Sequence, residues 1–178
     1  GGVGKTTTAI NIAANLAARE KQVLLVDIDP QANATSSLGV DKTGALYSIY
    51  HALVDQAPLD QIVMLTKRLH LDLVPSSPAL AGAEVELVGA ERREHLLADI
   101  LAPVTARYDY IFIDSPPSLG LLTLNALVAA DAVVIPIQCE YLALEGLSQL
   151  LETIKLVQKS LNPRLHVGGM AMTMYDSR

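Results

Sequence analysis

The residues with the most chemistry in this sequence stand at its head. Gly1, Gly2, Val3, Gly4, Lys5, Thr6 and Thr7 run consecutively, and Gly4-Lys5-Thr6 supplies the last three fixed positions of the G-x-x-x-x-G-K-[ST] phosphate loop. The first glycine of that pattern would fall two positions before Gly1. Glycines let successive backbone N–H groups turn toward phosphate oxygens, and a helix starting here adds its positive end. In such a loop the lysine, here Lys5, neutralises the β- and γ-phosphates, and the hydroxyl of Thr6 holds Mg²⁺. Further on, Val26-Asp27-Ile28-Asp29-Pro30-Gln31-Ala32-Asn33-Ala34-Thr35 places two carboxylates at the end of an apolar run. Open α/β sheets bind ligands at that edge, although Asp27 and Asp29 could equally do no more than cap a turn. A third cluster, Tyr110-Ile111-Phe112-Ile113-Asp114, has the Walker B form, in which the acid holds Mg²⁺, often through water. Strand–Asp–turn is common by itself. In one chain and in this order, the three point to a nucleoside-triphosphatase.

Such groups need a rigid sheet to carry them. The chain has 178 residues, of which 51% are hydrophobic and 18% charged, with a net charge of −6. That apolar fraction excludes disorder, and the length fits a single domain. The most apolar stretch, 119–137, is interrupted by Thr123, Asn125, Asp131 and Pro136, too often for a membrane span. One cysteine, Cys139, excludes an internal disulfide framework, and with no signal-peptide pattern the expected compartment is the cytoplasm. The acidic balance argues against a surface that is everywhere a nucleic-acid footprint, while leaving room for a local basic patch.

Residues 5–20 carry Ile10, Ala13, Ala14, Leu16 and Ala17 at helical spacing directly after the glycines. Short apolar runs at 22–28, 69–74, 110–113, 132–137 and 165–172 predict buried strands, and helical patterns at 45–54, 79–88, 91–101, 119–129 and 142–161 fall between them. The alternation predicts an α/β fold: a mostly parallel sheet with helices on both faces, in one domain over 1–178. Because the chain opens inside the phosphate loop and closes just after an apolar run, the expectation is a piece of a longer protein. It would lack the strand before the loop and a C-terminal part, leaving sheet edges bare and the isolated piece poorly stable and inactive.

Taken together, GGVGKTT, VDIDPQANAT, DYIFIDSPP and PIQCEYLALEG (residues 136–146) resemble the ParA/Soj partition ATPases, of the deviant Walker A P-loop group that also contains MinD. The resemblance covers essentially the whole chain. It implies a P-loop NTPase-like fold, ATP and Mg²⁺ as cofactors, and an ATP-bound sandwich homodimer that binds nonspecific DNA. It further implies slow hydrolysis that a ParB-type centromere-binding partner stimulates, releasing the DNA. The expected role is plasmid or chromosome segregation, in a cytoplasmic, nucleoid-associated protein. By position it implies Gly1, Gly2, Val3, Gly4, Lys5, Thr6 and Thr7 around the nucleotide, Lys5 and Asp29 in catalysis, and Thr6 and Asp114 at the metal. Asp29, 24 positions after Lys5, matches the acid that positions the attacking water, with Asp27 in support. The family's signature lysine, which reaches across the dimer as an arginine finger does, would lie immediately before Gly1. A MinD-like membrane-positioned ATPase is the alternative, although a membrane partner is not expected. A cluster-bridging relative of the nitrogenase iron-protein kind is disfavoured by the single cysteine.

Gln138 and Glu140 match a family segment near the nucleotide and dimer interface, or are turn residues. Residues 173–178 resemble the segment that approaches the adenine. Elsewhere the expectations are structural. Cys139 is expected as a small packed residue and the four histidines as unconnected. Met170, Met172 and Met174 should form a core strand face, and Glu91-Arg92-Arg93-Glu94 a solvated helix start. On the last helical pattern, Leu144, Leu147, Leu150, Leu151, Ile154 and Leu161 should form a packing face. Lys155, Lys159 and Arg164 are mainly solvated charges, with a DNA-facing patch as the lesser alternative.

Overall fold

The computed structural model describes residues 3–41, 47–138 and 143–173. In chain order the elements are α1 (Lys5–Ala17), β1 (Val23–Asp27), α2 (Asn33–Ser37), α3 (Ile49–Leu53), β2 (Met64–Leu65) and β3 (Leu71–Val74). They continue with α4 (Leu80–Glu86), α5 (Leu96–Leu101), β4 (Tyr110–Asp114), α6 (Leu121–Ala129), β5 (Ala132–Gln138), α7 (Ala143–Ser160) and β6 (His166–Thr173). The expected α/β alternation is present, with every predicted strand in place.

The strands form two sheets among the described residues, one of four strands in the order β2-β3-β1-β4 and one in which β5 pairs with β6. All pairings are parallel except that of β2 with β3. β1 lies between β3 and β4, and all five of its residues are buried. Its side chains alternate between two cores. Leu24, Val26 and Ile28 face a cluster drawn from α3, α4, α5 and α6, with Leu80, Leu97 and Leu122 at its centre. Val23 and Leu25 face Ala13 and Ala17 of α1 and Ala34 of α2. Helices therefore cover both faces, and the continuous apolar run that β1 shows in sequence is the result.

The two-stranded sheet is packed differently. Val133, Ile135 and Ile137 join Ile154 and Val157 of α7 in a third core, but Val134 on the other face is exposed, and so are Met170 and Met172, which stand in register with Ile135 and Ile137. The expectation that the methionines form a core face is corrected here: Met170 is 55% and Met172 70% exposed. Their period-two spacing does mark one face of a strand, but neither methionine joins the core that their register partners Ile135 and Ile137 form with α7. Met174 and Cys139 lie outside the described residues, as does Glu140.

Three helices differ from expectation. α5 begins only at Leu96, because Glu91 to Glu94 form turns in which Arg92 adopts a left-handed φ of 51°. Arg93 pairs with Glu94 at 3.1 Å and donates to the Val88 carbonyl, so this charged stretch is a bonded turn rather than a helix start. α3 begins at Ile49, where Ser48 and His51 form a reciprocal cap; residues 42–46 lie outside the described residues. α2, absent from the periodicity, is a single turn of small polar residues. On α7, Leu147, Leu150, Leu151, Ile154 and Leu161 join the third core as expected, with Val157 added; nothing is described for the side chain of Leu144.

Candidate active site

α1 starts at the glycine turn because Gly4 holds φ 84°, a left-handed conformation that glycine adopts without steric cost. The first helical bond follows at once, Thr8 N–H donating to Gly4 O at 2.9 Å. A side chain at Gly4 would also meet Thr173 of β6, whose hydroxyl donates to Val3 O at 2.8 Å. The far end of the two-stranded sheet is thereby pinned to the glycine turn. Lys5 and Thr6 are half-buried at the head of the helix and Thr7 is exposed. Gly1 and Gly2 lie outside the described residues.

The acids arrive through strand register. In the parallel pair β1–β4, Asp27 stands opposite Asp114, and the bond from Ile28 N–H to Asp114 O at 2.9 Å extends the pairing one residue further. Along each strand these aspartates share a face with Leu25 and Phe112, the face on which α1 packs. The helix that begins with Lys5 and Thr6 is thus set beside the carboxyl ends of both strands. The Thr6 hydroxyl bonds to the Asp114 carboxylate, and Lys5, Asp27 and Asp29 all lie close enough to act on its charge.

Asp114 is 2% exposed. Burial first of all pushes its carboxyl up to about 6; the Thr6 bond and Lys5 pull it down, while Asp27 and Asp29 push it further up. Among the described residues its Oδ2 is a buried oxygen without a hydrogen-bond partner. A buried acceptor left unpaired costs on the order of 1–3 kcal/mol. Beside a threonine hydroxyl and two more carboxylates, that oxygen fits a divalent cation held through hard oxygen donors. No group of three His, Cys, Asp or Glu side chains arranged for a metal occurs among the described residues. The protein ligands here would accordingly be few, with water and phosphate oxygens completing the shell, as Mg²⁺ prefers.

Asp27 does different work. Its Oδ2 accepts from both Thr35 N–H (2.8 Å) and Thr35 Oγ1 (2.7 Å), and its Oδ1 accepts from Asp29 N–H (3.1 Å). Burial raises its carboxyl despite these bonds. Every acceptor direction used is internal, so Asp27 is an anchor for the loop that follows. Asp29 sits on that loop, with Gln31 N–H donating to its Oδ1 at 2.9 Å. The loop then passes through Ala32, buried in a left-handed conformation at φ 53°. For a residue with a Cβ this costs about 1–2 kcal/mol.

The structure therefore brings Lys5, Thr6, Asp27, Asp29 and Asp114 to one place. Two residues that the sequence reading gave no role join them: Thr35, and Ser76 after β3, whose hydroxyl donates to Asp29 O at 2.7 Å. Thr35 stands at the end of the quoted acidic segment. Ser76 carries no signal beyond being a small polar residue at the end of a parallel strand. The clearest concavities lie elsewhere. One of about 670 Å³ between α3 and α5, and one of about 450 Å³ beside α6, are lined by none of these residues. His51 caps α3 and His70 bonds Gln22, so these two histidines have structural partners. Lys155 and Lys159 are exposed, and Arg164 reaches Asp131 at 3.9 Å.

A family model described as an AAA domain matches residues 1–167. The chain is 58% identical over 178 residues to the chromosome partitioning protein ParA of Myxococcus xanthus, covering 100% of this chain and 63% of that protein. To the sporulation initiation inhibitor protein Soj of Bacillus subtilis it is 57% identical, covering 100% and 70%. The chain thus spans roughly two thirds of the length of these relatives. Among solved structures, one called cobyrinic acid a,c-diamide synthase from Mycobacterium smegmatis, with bound ATP analog and magnesium, superimposes with a TM-score of 0.96 at 43% identity. That match covers 100% of this chain and 72% of the other. Identity of this order over the whole chain, which includes the phosphate loop and both acidic strand ends, establishes that the chain belongs to the ParA/Soj family of partition ATPases.

Proposed function

We propose that the protein carrying this chain binds ATP with Mg²⁺, hydrolyses it slowly, and uses that cycle to move DNA. The observation that carries the reading is the junction of α1 with β4: Thr6 bonded to a buried Asp114 whose second oxygen has no partner, next to Lys5. In this reading the backbone N–H groups of residues 1–7 and the Lys5 ammonium hold the phosphates. Thr6 and Asp114 hold the metal, which supplies charge neutralisation on the β- and γ-oxygens when bound. Asp29 orients the attacking water and accepts its proton, while Asp27 keeps the Asp29 loop in register. Phosphoryl transfer depends on charge neutralisation and a placed nucleophile more than on covalent chemistry, and these five side chains supply both within one subunit.

Dimerisation on ATP would add a further cation from the partner subunit, coupling nucleotide state to assembly. The ATP dimer binds nonspecific DNA, and a ParB-type partner accelerates hydrolysis and release. Similarity to the chromosome partitioning protein of Myxococcus xanthus supports partitioning, and the ATP analog and magnesium in the Mycobacterium structure support the cofactors. That structure's own name gives a second reading, ATP-coupled amide synthesis on a small molecule. Identity favours partitioning, at 58% and 57% against 43%.

Co-sedimentation tests the reading. With ATP the protein should pellet with nonspecific duplex DNA, more weakly as salt rises, and not with ADP or when Lys5→Ala is introduced. Pelleting with anionic liposomes instead would move it to the membrane-positioning class. Binding to neither, with ATP consumption coupled to amide formation on a small molecule, would favour the amide-synthesis reading.

A further inference from the structure

The Asp29 loop is closed on itself by a ring of buried hydrogen bonds that reaches across the sheet to β3. Ser76 and Thr35 are 41 positions apart, and both are fully buried. Ser76 N–H donates to Thr35 Oγ1 at 2.9 Å; the Thr35 hydroxyl donates to Asp27 Oδ2 at 2.7 Å; Asp27 Oδ1 accepts from Asp29 N–H at 3.1 Å; and Asp29 O accepts the Ser76 hydroxyl at 2.7 Å. Each hydroxyl has one proton to give. Thr35 spends its proton on Asp27 and so must accept from Ser76 N–H, while Ser76 spends its own on Asp29. One arrangement of protons satisfies every member, and it leaves no rotamer of either side chain in play. Thr35 N–H adds a second bond to Asp27, and Ala32 N–H a second to Asp29 O at 2.8 Å.

This ring grips the Asp29 backbone at both its N–H and its C=O. The side chain then has little freedom beyond its own torsions, and Gln31 N–H fixes one of its oxygens. We infer that Ser76 and Thr35 are positioning residues for hydrolysis: they hold the Asp29 carboxylate in the direction in which it meets the attacking water. The inference rests on the role given to Asp29 above. It also gives Asp27 its function, that of the acceptor on which the ring is built, and it accounts for the strained turn at Ala32, which the ring holds in place.

A positioning role and a merely structural one predict different results. One neutral hydrogen bond is worth about 1 kcal/mol of stability, whereas a misplacement of about 1 Å at a reacting group costs on the order of a hundredfold in rate. In the full-length protein, Ser76→Ala and Thr35→Val should slow single-turnover ATP hydrolysis roughly 10- to 100-fold, with nucleotide affinity within about threefold of wild type. Thr35→Ser, which keeps the hydroxyl, should restore the rate to within about threefold. Wild-type hydrolysis in Ser76→Ala would overturn the inference. So would a Thr35→Ser variant as slow as Thr35→Val, which would make the methyl group responsible, or a loss of nucleotide binding in step with rate, which would make the ring structural. Asp29→Ala, run in parallel, separates the two layers. If Asp29→Ala hydrolyses normally, the role of Asp29 itself fails. If it is inactive while Ser76→Ala is normal, only the positioning fails.

Discussion

The four-stranded and two-stranded sheets are built from similar apolar runs, yet they are used differently. β1 is hidden on both faces, and at its carboxyl end three aspartates gather around the head of α1. The β5–β6 sheet packs one face on α7, leaves Met170 and Met172 exposed, and touches the site through the Thr173 bond to Val3. A continuous hydrophobic run reports that a strand is apolar on both faces, not that both faces are covered. Burial is the first cause of the upward shift at both Asp27 and Asp114.

If the contrast is real, removing a charge should matter at one sheet and not at the other. Lys5→Ala should lower steady-state phosphate release by on the order of a thousandfold, while Lys155→Ala on the exposed side of α7 should stay within about twofold. Comparable losses in both would erase the distinction. Packing should follow the same division. Leu25→Ala, which empties a fully buried position in β1, should cost about 2–5 kcal/mol in urea unfolding, and Met172→Ala less than about 0.5 kcal/mol. A large cost at Met172 would show that its face is covered in the intact protein.

Burying Asp114 makes stability depend on pH. Its folded carboxyl holds the proton up to about pH 6, against 3.8 ordinarily. Its contribution to stability is therefore complete below about 3.8 and lost as pH rises through about 6. Without nucleotide or metal, Asp114→Asn should raise stability at pH 7 by up to about 3 kcal/mol, with the gain vanishing near pH 4. Melting curves at the two pH values read this directly. Equal melting at pH 7 would mean that the unpaired oxygen is not costly, and the same variant should hydrolyse no ATP. The smallest effect lies at an exposed left-handed residue away from the site. Glu20, exposed at φ 62° just past the end of α1, sits where helices favour glycine, and Glu20→Gly should gain about 1 kcal/mol with turnover unchanged. A change in turnover would link that turn to the site.

The sequence made the strands, the phosphate loop and the three aspartates legible because each is local: a run, a spacing, an acid at the end of an apolar stretch. What it concealed is non-local. Ser76 reaches Asp29 only because β3 lies parallel to β1, and no pattern near Ser76 announces that. α2 went unread because Asn33-Ala34-Thr35-Ser36-Ser37 has no apolar periodicity; its turn is anchored by the two Thr35 bonds to Asp27. The charged stretch 91–94 looked helical by composition but is a turn closed by Arg93, with its carbonyl held by Asn125. The methionines had the right period and the wrong surroundings.

The central claim is that Asp29 serves turnover and not binding, at a site held by Lys5, Thr6 and Asp114. Its most direct test is to measure ATP affinity and single-turnover hydrolysis together in the full-length Asp29→Ala protein. Affinity within about threefold of wild type, with hydrolysis reduced by two orders of magnitude or more, is the predicted result. Hydrolysis at the wild-type rate, or affinity lost in proportion to rate, would contradict it.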